Sequence, residues 1–145
     1  MDKFVKEIQV RWSDFDPNFH VRHTSYYDWG ALSRIDFLEE NGLTIEIMKR
    51  ENFGPVLLRE ECVFKREVIH GDQIFVELEV LKSKRDFSRW VLQHPIKKGD
   101  GTLAALITVE GGFIDTIKRK LTAPKGIVEA VFGLMPRGAN FEWMD

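Results

Sequence analysis

The chain has 145 residues, which suits one ordinary domain and is too short for two, so residues 1–145 are interpreted as a single domain. Its content of 43% hydrophobic and 30% charged residues is typical of globular proteins and excludes a disordered or collagen-like chain. The formal net charge of −2 gives no reason to expect nucleic acid as a partner.

Cysteine content and the N-terminal segment indicate the compartment. Cys62 is the single cysteine, which excludes an intramolecular disulfide and fits a reducing environment. The first residues lack the apolar core of a signal peptide, and no stretch approaches membrane-spanning length. We therefore expect a soluble cytoplasmic protein with no membrane partner.

The first part of the chain predicts a strand, a loop and a helix. Residues 4–12 alternate between apolar and polar, and turn formers follow them. Thr24 or Ser25 can cap the helix, and Asn41-Gly42 can end it. The apolar residues at helical spacing predict its buried face, namely Tyr27, Ala31, Ile35 and Leu38, and the flanking Trp29 and Leu32 make that face broad.

The second part of the chain predicts long strands separated by turns. Alternating residues run from Ile74 to Val80, from Phe87 to Leu92 and from Leu103 to Phe113. Gly111-Gly112 lies inside the last of these and indicates a bulge or a close backbone approach. A short C-terminal helix is predicted to begin at Pro124.

This order of elements predicts an α+β protein. One long central helix with a curled antiparallel sheet wrapped around it is the hotdog fold. Open sheet edges and residual apolar surface favour self-association, so a homodimer or homotetramer is expected.

The candidate chemistry lies between the first strand and the helix. Two carboxylates and two imidazoles occur there, on Asp14, Asp16, His20 and His23. A turn and a helix cap would explain the aspartates equally well. The chain has no Gly-x-Ser-x-Gly elbow, no His-Glu-x-x-His zinc motif and no phosphate-binding loop before a helix. We therefore expect neither a metal nor a cofactor.

A carboxylate beside a helix N-terminus remains, and it suits acyl transfer. The free N–H groups near His23 and Thr24 can polarise a thioester carbonyl and hold the oxyanion that develops. Asp16 could attack that carbonyl or activate a water molecule.

The same segment carries a family signature. Asp14-Phe15-Asp16, His20-Val21 and Tyr26 resemble the Asp-x-Asp-x-x-Gly-(His/Val)-Val-x-(His)-x-x-Tyr pattern of the 4-hydroxybenzoyl-CoA thioesterase-like family, which includes the YbgC-type acyl-CoA thioesterases. Trp29, Arg34 and His70-Gly71-Asp72 extend the likeness over most of the chain. The resemblance implies hydrolysis of an acyl-CoA or acyl-carrier-protein thioester to free acid and thiol.

Position by position, the resemblance implies specific roles. Asp16 is the nucleophile or general base, and His23, rather than His20, is its catalytic partner and supplies the carbonyl-polarising N–H. Asp14 is a turn or hydrogen-bonding residue. The residues expected to bind substrate are Asn18, Phe19, His20, Thr24 and Tyr26.

One departure from the signature keeps other functions open. Phe19 stands where the family usually has glycine, and its ring could block the site or fill part of the acyl pocket. The alternatives are a module that binds an acyl group or acyl-CoA without turnover, and an enoyl-CoA hydratase, although the four-residue spacing of Asp16 and His20 fits that enzyme poorly. The candidates by charge for the CoA phosphates are Lys82, Lys84, Arg85, Arg89, Lys118, Arg119 and Lys120.

Overall fold

A curled sheet with one long helix packed on it dominates the computed structural model, which describes residues 3–124 and 126–145. The helices are α1 (His23–Glu40), α2 (Ile45–Glu51) and α3 (Gly126–Phe132), and a 3-10 turn spans Trp12–Asp14. The strands are β1 (Phe4–Ile8), β2 (Phe53–Phe64), β3 (Ile74–Ser83), β4 (Arg89–Lys98), β5 (Leu103–Asp115), β6 (Lys120–Leu121) and β7 (Arg137–Trp143).

The main strands follow the order β1-β3-β4-β5-β2, and all of these neighbours are antiparallel. β6 pairs with β5, and β7 runs parallel to β3 beyond the part of β3 that pairs with β1. Helix α1 packs against β1, β3 and β5. This arrangement confirms the predicted α+β hotdog fold and leaves β2 at an edge of the main sheet.

The face that α1 turns towards the sheet differs from the predicted one. Ala31 and Leu32 are exposed, although Trp29 and Leu38 are buried as expected. A Cβ atom at Gly30 would lie 3.2 Å from the ring of His94, so small side chains let the helix approach the sheet closely. The buried side of the helix includes Ser25, Tyr26, Trp29, Gly30, Ser33 and Phe37.

Several short elements escaped the sequence patterns. The first strand ends at Ile8 rather than Trp12, and α2 follows Thr44, whose hydroxyl accepts from the N–H of Ile47 at 3.2 Å. β7 forms only by pairing with β3, so its existence depends on tertiary contact. None of the helices within the described ranges combines the length and apolarity needed to cross a membrane.

His94 is a polar side chain in the centre of the sheet. Its Nδ1 lies 3.0 Å from the carbonyl oxygen of Glu77, and its Nε2 lies 3.0 Å from Nη1 of Arg34. Because Arg34 can only donate, Nε2 accepts and Nδ1 carries the hydrogen. Burial, with the nearby Arg34 charge, lowers the pKa of His94 to about 3, so the ring is neutral in the folded protein at pH 7.

Gly111 lies where β5 closely approaches Trp90 and the backbone of β2, as the glycine pair in this strand predicted. A Cβ atom there would lie 2.3 Å from the Trp90 ring and 2.5 Å from the carbonyl oxygen of Val56. The register of β2 shifts opposite this point, between Leu57 and Arg59.

Gly111→Ala is expected to destabilise the fold by about 2 kcal/mol, because both the Trp90 ring and backbone of β2 must move. Urea unfolding of the variant and the parent measures the difference. Gly54→Ala in β2 is the matched control, since no atom in the described part of the chain lies within 4 Å of its added Cβ. Its stability should stay within about 0.5 kcal/mol of the parent. Equal stabilities of the two variants would contradict the close approach.

Candidate functional site

The segment between the 3-10 turn and α1 folds back on itself as a short hairpin. Phe15 bridges Val21, and the N–H of Asp16 donates to the carbonyl oxygen of His20 at 3.0 Å. The N–H of Val21 also donates to the carbonyl oxygen of Val68 at 2.8 Å. These bonds attach the hairpin to the β2–β3 connection and place Asp16 opposite His20.

Asp16 is held from two directions. Its Oδ1 accepts from the backbone N–H of Asn18 at 2.9 Å, and its Oδ2 lies 3.3 Å from Nδ1 of His20. That Nδ1 also lies 3.4 Å from the carbonyl oxygen of Val21. Since both neighbours of Nδ1 are acceptors, Nδ1 carries a hydrogen.

The direct contact of Asp16 is therefore with His20, not with His23 as expected from the sequence. The backbone hydrogen bond between Asp16 and His20 places their side chains next to each other. His23, in contrast, is the first residue of α1 and is exposed. His23 nevertheless lines the same cavity as Asp16.

The start of α1 also corrects the predicted cap. The helix begins at His23 with Arg22 as N-cap, and Arg22 makes no side-chain cap bond. Ser25 does not cap the helix, because its hydroxyl donates to Oδ1 of the buried Asp14 at 2.9 Å. The first N–H groups of an α-helix have no acceptor within the helix, so those of His23 and Thr24 are suited to bind a ligand oxygen.

Asp14 is a buried residue that stabilises the site through hydrogen bonds. Its Oδ2 accepts from the backbone N–H of Arg11 at 2.7 Å, and its Oδ1 lies 3.1 Å from the Arg11 guanidinium. Burial would raise the pKa of Asp14, but the bonds from Arg11 and Ser25 outweigh it and hold that pKa below the usual range. Asp14 thus joins the hairpin to the helix and is not available to substrate.

A cavity of about 360 Å³ opens beside Asp16, which we call the Asp16 cavity. Tyr26 forms part of its wall, and its ring centroid lies 5.1 Å from that of Phe64 in an edge-to-face contact. Burial raises the pKa of Tyr26 to about 12, which makes it a neutral wall residue. The lining residues include Asp16, His20, His23, Tyr26, Phe64, Lys65 and Arg66. Thr24 is exposed at the helix start, and Asn18 contributes its backbone N–H to Asp16.

Phe19 adopts a backbone conformation that glycine accommodates more readily than a residue with a side chain. Its φ is +67°, in the left-handed region, and its side chain is 81% exposed. The ring borders a neighbouring groove with Trp12 and His70, and it is not part of the wall shared by His23 and Tyr26. In this chain Phe19 therefore does not fill the Asp16 cavity.

Phe19→Asn is expected to stabilise the fold by about 0.5–1 kcal/mol, because asparagine tolerates positive φ better than a bulky aromatic residue and little buried area is lost. Phe87→Asn is the matched control, since Phe87 has φ +62° but is only 7% exposed and packs against Phe132. That variant should lose about 3 kcal/mol. Thermal unfolding of both variants tests the pair, and a loss of stability on Phe19→Asn would contradict it.

The basic residues that line the Asp16 cavity are not those predicted from the sequence to bind the CoA phosphates. Lys65 and Arg66 follow the end of β2 and line the Asp16 cavity. Lys84 and Arg85 lie beyond the far end of β3, a strand about 30 Å long, and Lys82 pairs with Glu142 at 3.3 Å. Lys118, Arg119 and Lys120 lie where β5 pairs with β6, near the first residue of β2. Lys65 and Arg66 had no distinctive sequence signal, because only the return of β2 to the hairpin brings them close.

Comparison with known proteins places the chain in a family. The model of the thioesterase-like superfamily matches residues 10–131. The chain belongs to this superfamily. The match includes the hairpin, all of α1 and the strands β2 to β5, and it supports thioester hydrolysis as the general activity.

Solved structures share the fold at low identity. A Staphylococcus aureus protein in complex with CoA is 22% identical, with 91% of this chain and 82% of that chain covered and a TM-score of 0.84. A DHNA-CoA thioesterase from Staphylococcus aureus is 21% identical, with 83% and 80% covered and a TM-score of 0.75. A 1,4-dihydroxy-2-naphthoyl-CoA thioesterase from Synechocystis is 17% identical, with 91% and 96% covered and a TM-score of 0.81. No curated protein matches the sequence.

Proposed function

We propose that this protein hydrolyses an acyl-CoA or acyl-carrier-protein thioester to the free acid and the thiol. The observation that carries the proposal is the position of the Asp16 carboxylate beside the N-terminus of α1, in one cavity with His23. Membership of the thioesterase-like superfamily supports the same reaction.

The proposed chemistry needs only groups of this chain and water. The N–H groups of His23 and Thr24 would bind the thioester carbonyl oxygen and stabilise its developing negative charge. Asp16 would act as nucleophile or as general base for water. The carbon–sulfur bond then breaks and the thiolate takes a proton. On the general-base route this step gives the free acid, because water has already attacked the carbonyl, and on the nucleophile route water hydrolyses the acyl–Asp16 anhydride to the acid and restores the carboxylate. We assign His20 as a positioning residue, because its Nδ1–H faces Oδ2 of Asp16.

CoA is the favoured carrier. Lys65 and Arg66 are exposed beside the cavity, where their charges could meet the phosphates of a bound CoA. The similar Staphylococcus aureus structure holds CoA, and two of the similar structures are CoA thioesterases. We expect no metal or cofactor in this reaction.

We also propose that two copies pair through β2. This strand of 12 residues has β5 on one side, and its outer residues include the exposed side chains of Leu57, Leu58, Val63 and Phe64. An exposed apolar edge strand favours pairing with a second chain. Because Phe64 also lines the Asp16 cavity, the second copy would lie against the site. Sedimentation velocity should give a dimer or a tetramer, and a monomer at micromolar concentration would refute this pairing.

A thiol-release assay over acyl-CoA thioesters of different chain length, with chelator present, tests the activity. Release of free CoA above the uncatalysed rate is expected for at least one thioester. Hydration of crotonyl-CoA without thiol release would instead favour an enoyl-CoA hydratase. Tight binding of acyl-CoA with no thiol release from any thioester would favour the module without turnover.

A further inference from the structure

A second cavity lies on the face of α1 that carries Ala31, Ile35 and Leu38, which the sequence pattern predicted to be buried in the core. It encloses about 240 Å³ between α1, the first half of β2 and the side chains of Trp90 and Phe132, and we call it the Arg34 cavity. Arg34 follows His23 by 11 residues, which is about 16 Å along the helix axis. The two cavities are therefore separate places along the same helix.

The Arg34 cavity is mainly apolar and of limited size. Its walls include Ala31, Ile35, Leu38, Leu57 and Leu92. An apolar cavity of about 150 Å³ admits benzene, so this one has room for one ring and a short substituent, or for a short chain.

Arg34 places a positive charge in this apolar wall. Its side chain is only 15% exposed, and its Nη1 donates to His94, which is neutral. Its Nη2 lies 3.9 Å from a carboxylate oxygen of Glu60, the nearest among the described residues, which is beyond hydrogen-bond distance. A guanidinium has five N–H groups, so this largely buried cation keeps N–H groups that bond to no carboxylate of the described residues.

Trp90 adds a buried donor without a partner among the described residues to the same wall. Its side chain is buried, and its indole Nε1 has no hydrogen-bond partner among the described residues. A buried donor without an acceptor is costly, so a ligand with acceptor atoms within reach would be favoured.

We propose that the Arg34 cavity binds a small monocarboxylate with an apolar body the size of one ring. The body occupies the apolar part of the cavity, and the carboxylate accepts hydrogen bonds from Arg34, displacing the loose contact with Glu60. This site is distinct from the Asp16 cavity. The carboxylate belongs either to a free acid or to the far end of a longer acyl group, which would span the roughly 16 Å between the two cavities and place only its terminal part in the Arg34 cavity.

Isothermal titration with phenylacetate and its neutral analogue phenylacetamide tests the proposal on the unaltered protein. Phenylacetate should bind at least tenfold more tightly than phenylacetamide, because only the carboxylate compensates the Arg34 charge. Equal affinity for the two, or no binding of phenylacetate at millimolar concentration, would overturn the proposal.

Two substitutions should move the affinity in opposite directions. Arg34→Met should weaken phenylacetate binding at least tenfold, whereas Glu60→Gln should strengthen it by removing the competing anion. Arg50→Met is the matched control, since Arg50 is exposed on α2 and does not line the cavity. Arg34→Met leaves His94 without its donor, so Glu60→Gln and the amide analogue keep the test decisive if that variant does not fold. Unchanged affinity for phenylacetate in both Glu60→Gln and a folded Arg34→Met variant would refute the assignment.

Inhibition kinetics separates the two sources of the carboxylate. Competitive inhibition of thioester hydrolysis by phenylacetate would indicate the far end of an acyl group, and saturation without inhibition would indicate a free acid. The binding experiments require no turnover, so a failure of the proposed hydrolysis would not obscure them.

Discussion

Asp16→Asn is expected to lower kcat for thioester hydrolysis by at least about 100-fold, because an amide neither attacks the carbonyl nor takes a proton from water. The amide oxygen can still accept from the N–H of Asn18, so the hairpin should persist. Thiol release under saturating acyl-CoA measures the loss, and far-ultraviolet circular dichroism checks the fold.

Asp28→Asn is the matched control for this substitution. Asp28 is an exposed carboxylate on α1 and does not line the Asp16 cavity, so its loss should leave kcat within about twofold. Full activity in Asp16→Asn would remove Asp16 from the reaction. His20→Gln and His23→Gln test the two histidines separately. Loss of Asp16 positioning is expected from His20→Gln, because Nδ1 of His20 lies 3.3 Å from Oδ2 of Asp16.

Acidification from pH 7 to pH 4 is expected to destabilise the fold by about 3 kcal/mol through His94 alone. In the unfolded chain a histidine takes a proton near pH 6.5, whereas burial holds the pKa of folded His94 at about 3. Between these values the unfolded state binds more protons, so stability falls as the pH falls. The lowered pKa of Asp14 adds a loss that begins only near pH 4, and the raised pKa of Glu79 acts in the opposite direction.

Urea unfolding at pH 7, 5.5 and 4 measures this dependence. His94→Gln is the matched variant, because a glutamine amide can donate towards Glu77 and accept from Arg34 without titrating. Its stability should vary much less with pH over this range. Parallel pH profiles for the two proteins would contradict the assignment to His94.

The fold was predictable because its long elements carry their own periodicity. Alternation in β3 and β5 and the apolar spacing in α1 indicated one helix and an antiparallel sheet. The face of α1 was not predictable from spacing alone, since the sheet accepts the side with Gly30 and Ser33, where the helix can come close. Large side chains such as Ile35 instead border a cavity.

The candidate site divides in the same way. Local sequence marked Asp16 and the start of α1, because turn formers beside a helix are contiguous in the chain. It did not identify His20 as the residue in contact with Asp16 and favoured His23 instead, because that contact depends on the bond between Asp16 N–H and the His20 carbonyl. Nor did it find Lys65 and Arg66, which reach the cavity only through the path of β2.

The amino-acid sequence by itself determined the order of the long elements, the hotdog architecture and the segment that carries Asp16, because periodicity and turn chemistry act over neighbouring residues. Only the tertiary structure decided which histidine contacts Asp16, that the ring of Phe19 lies outside the Asp16 cavity, and that Arg34 and Trp90 line a second cavity. Those features depend on contacts between residues far apart in the chain, where packing and hydrogen bonding override local preference.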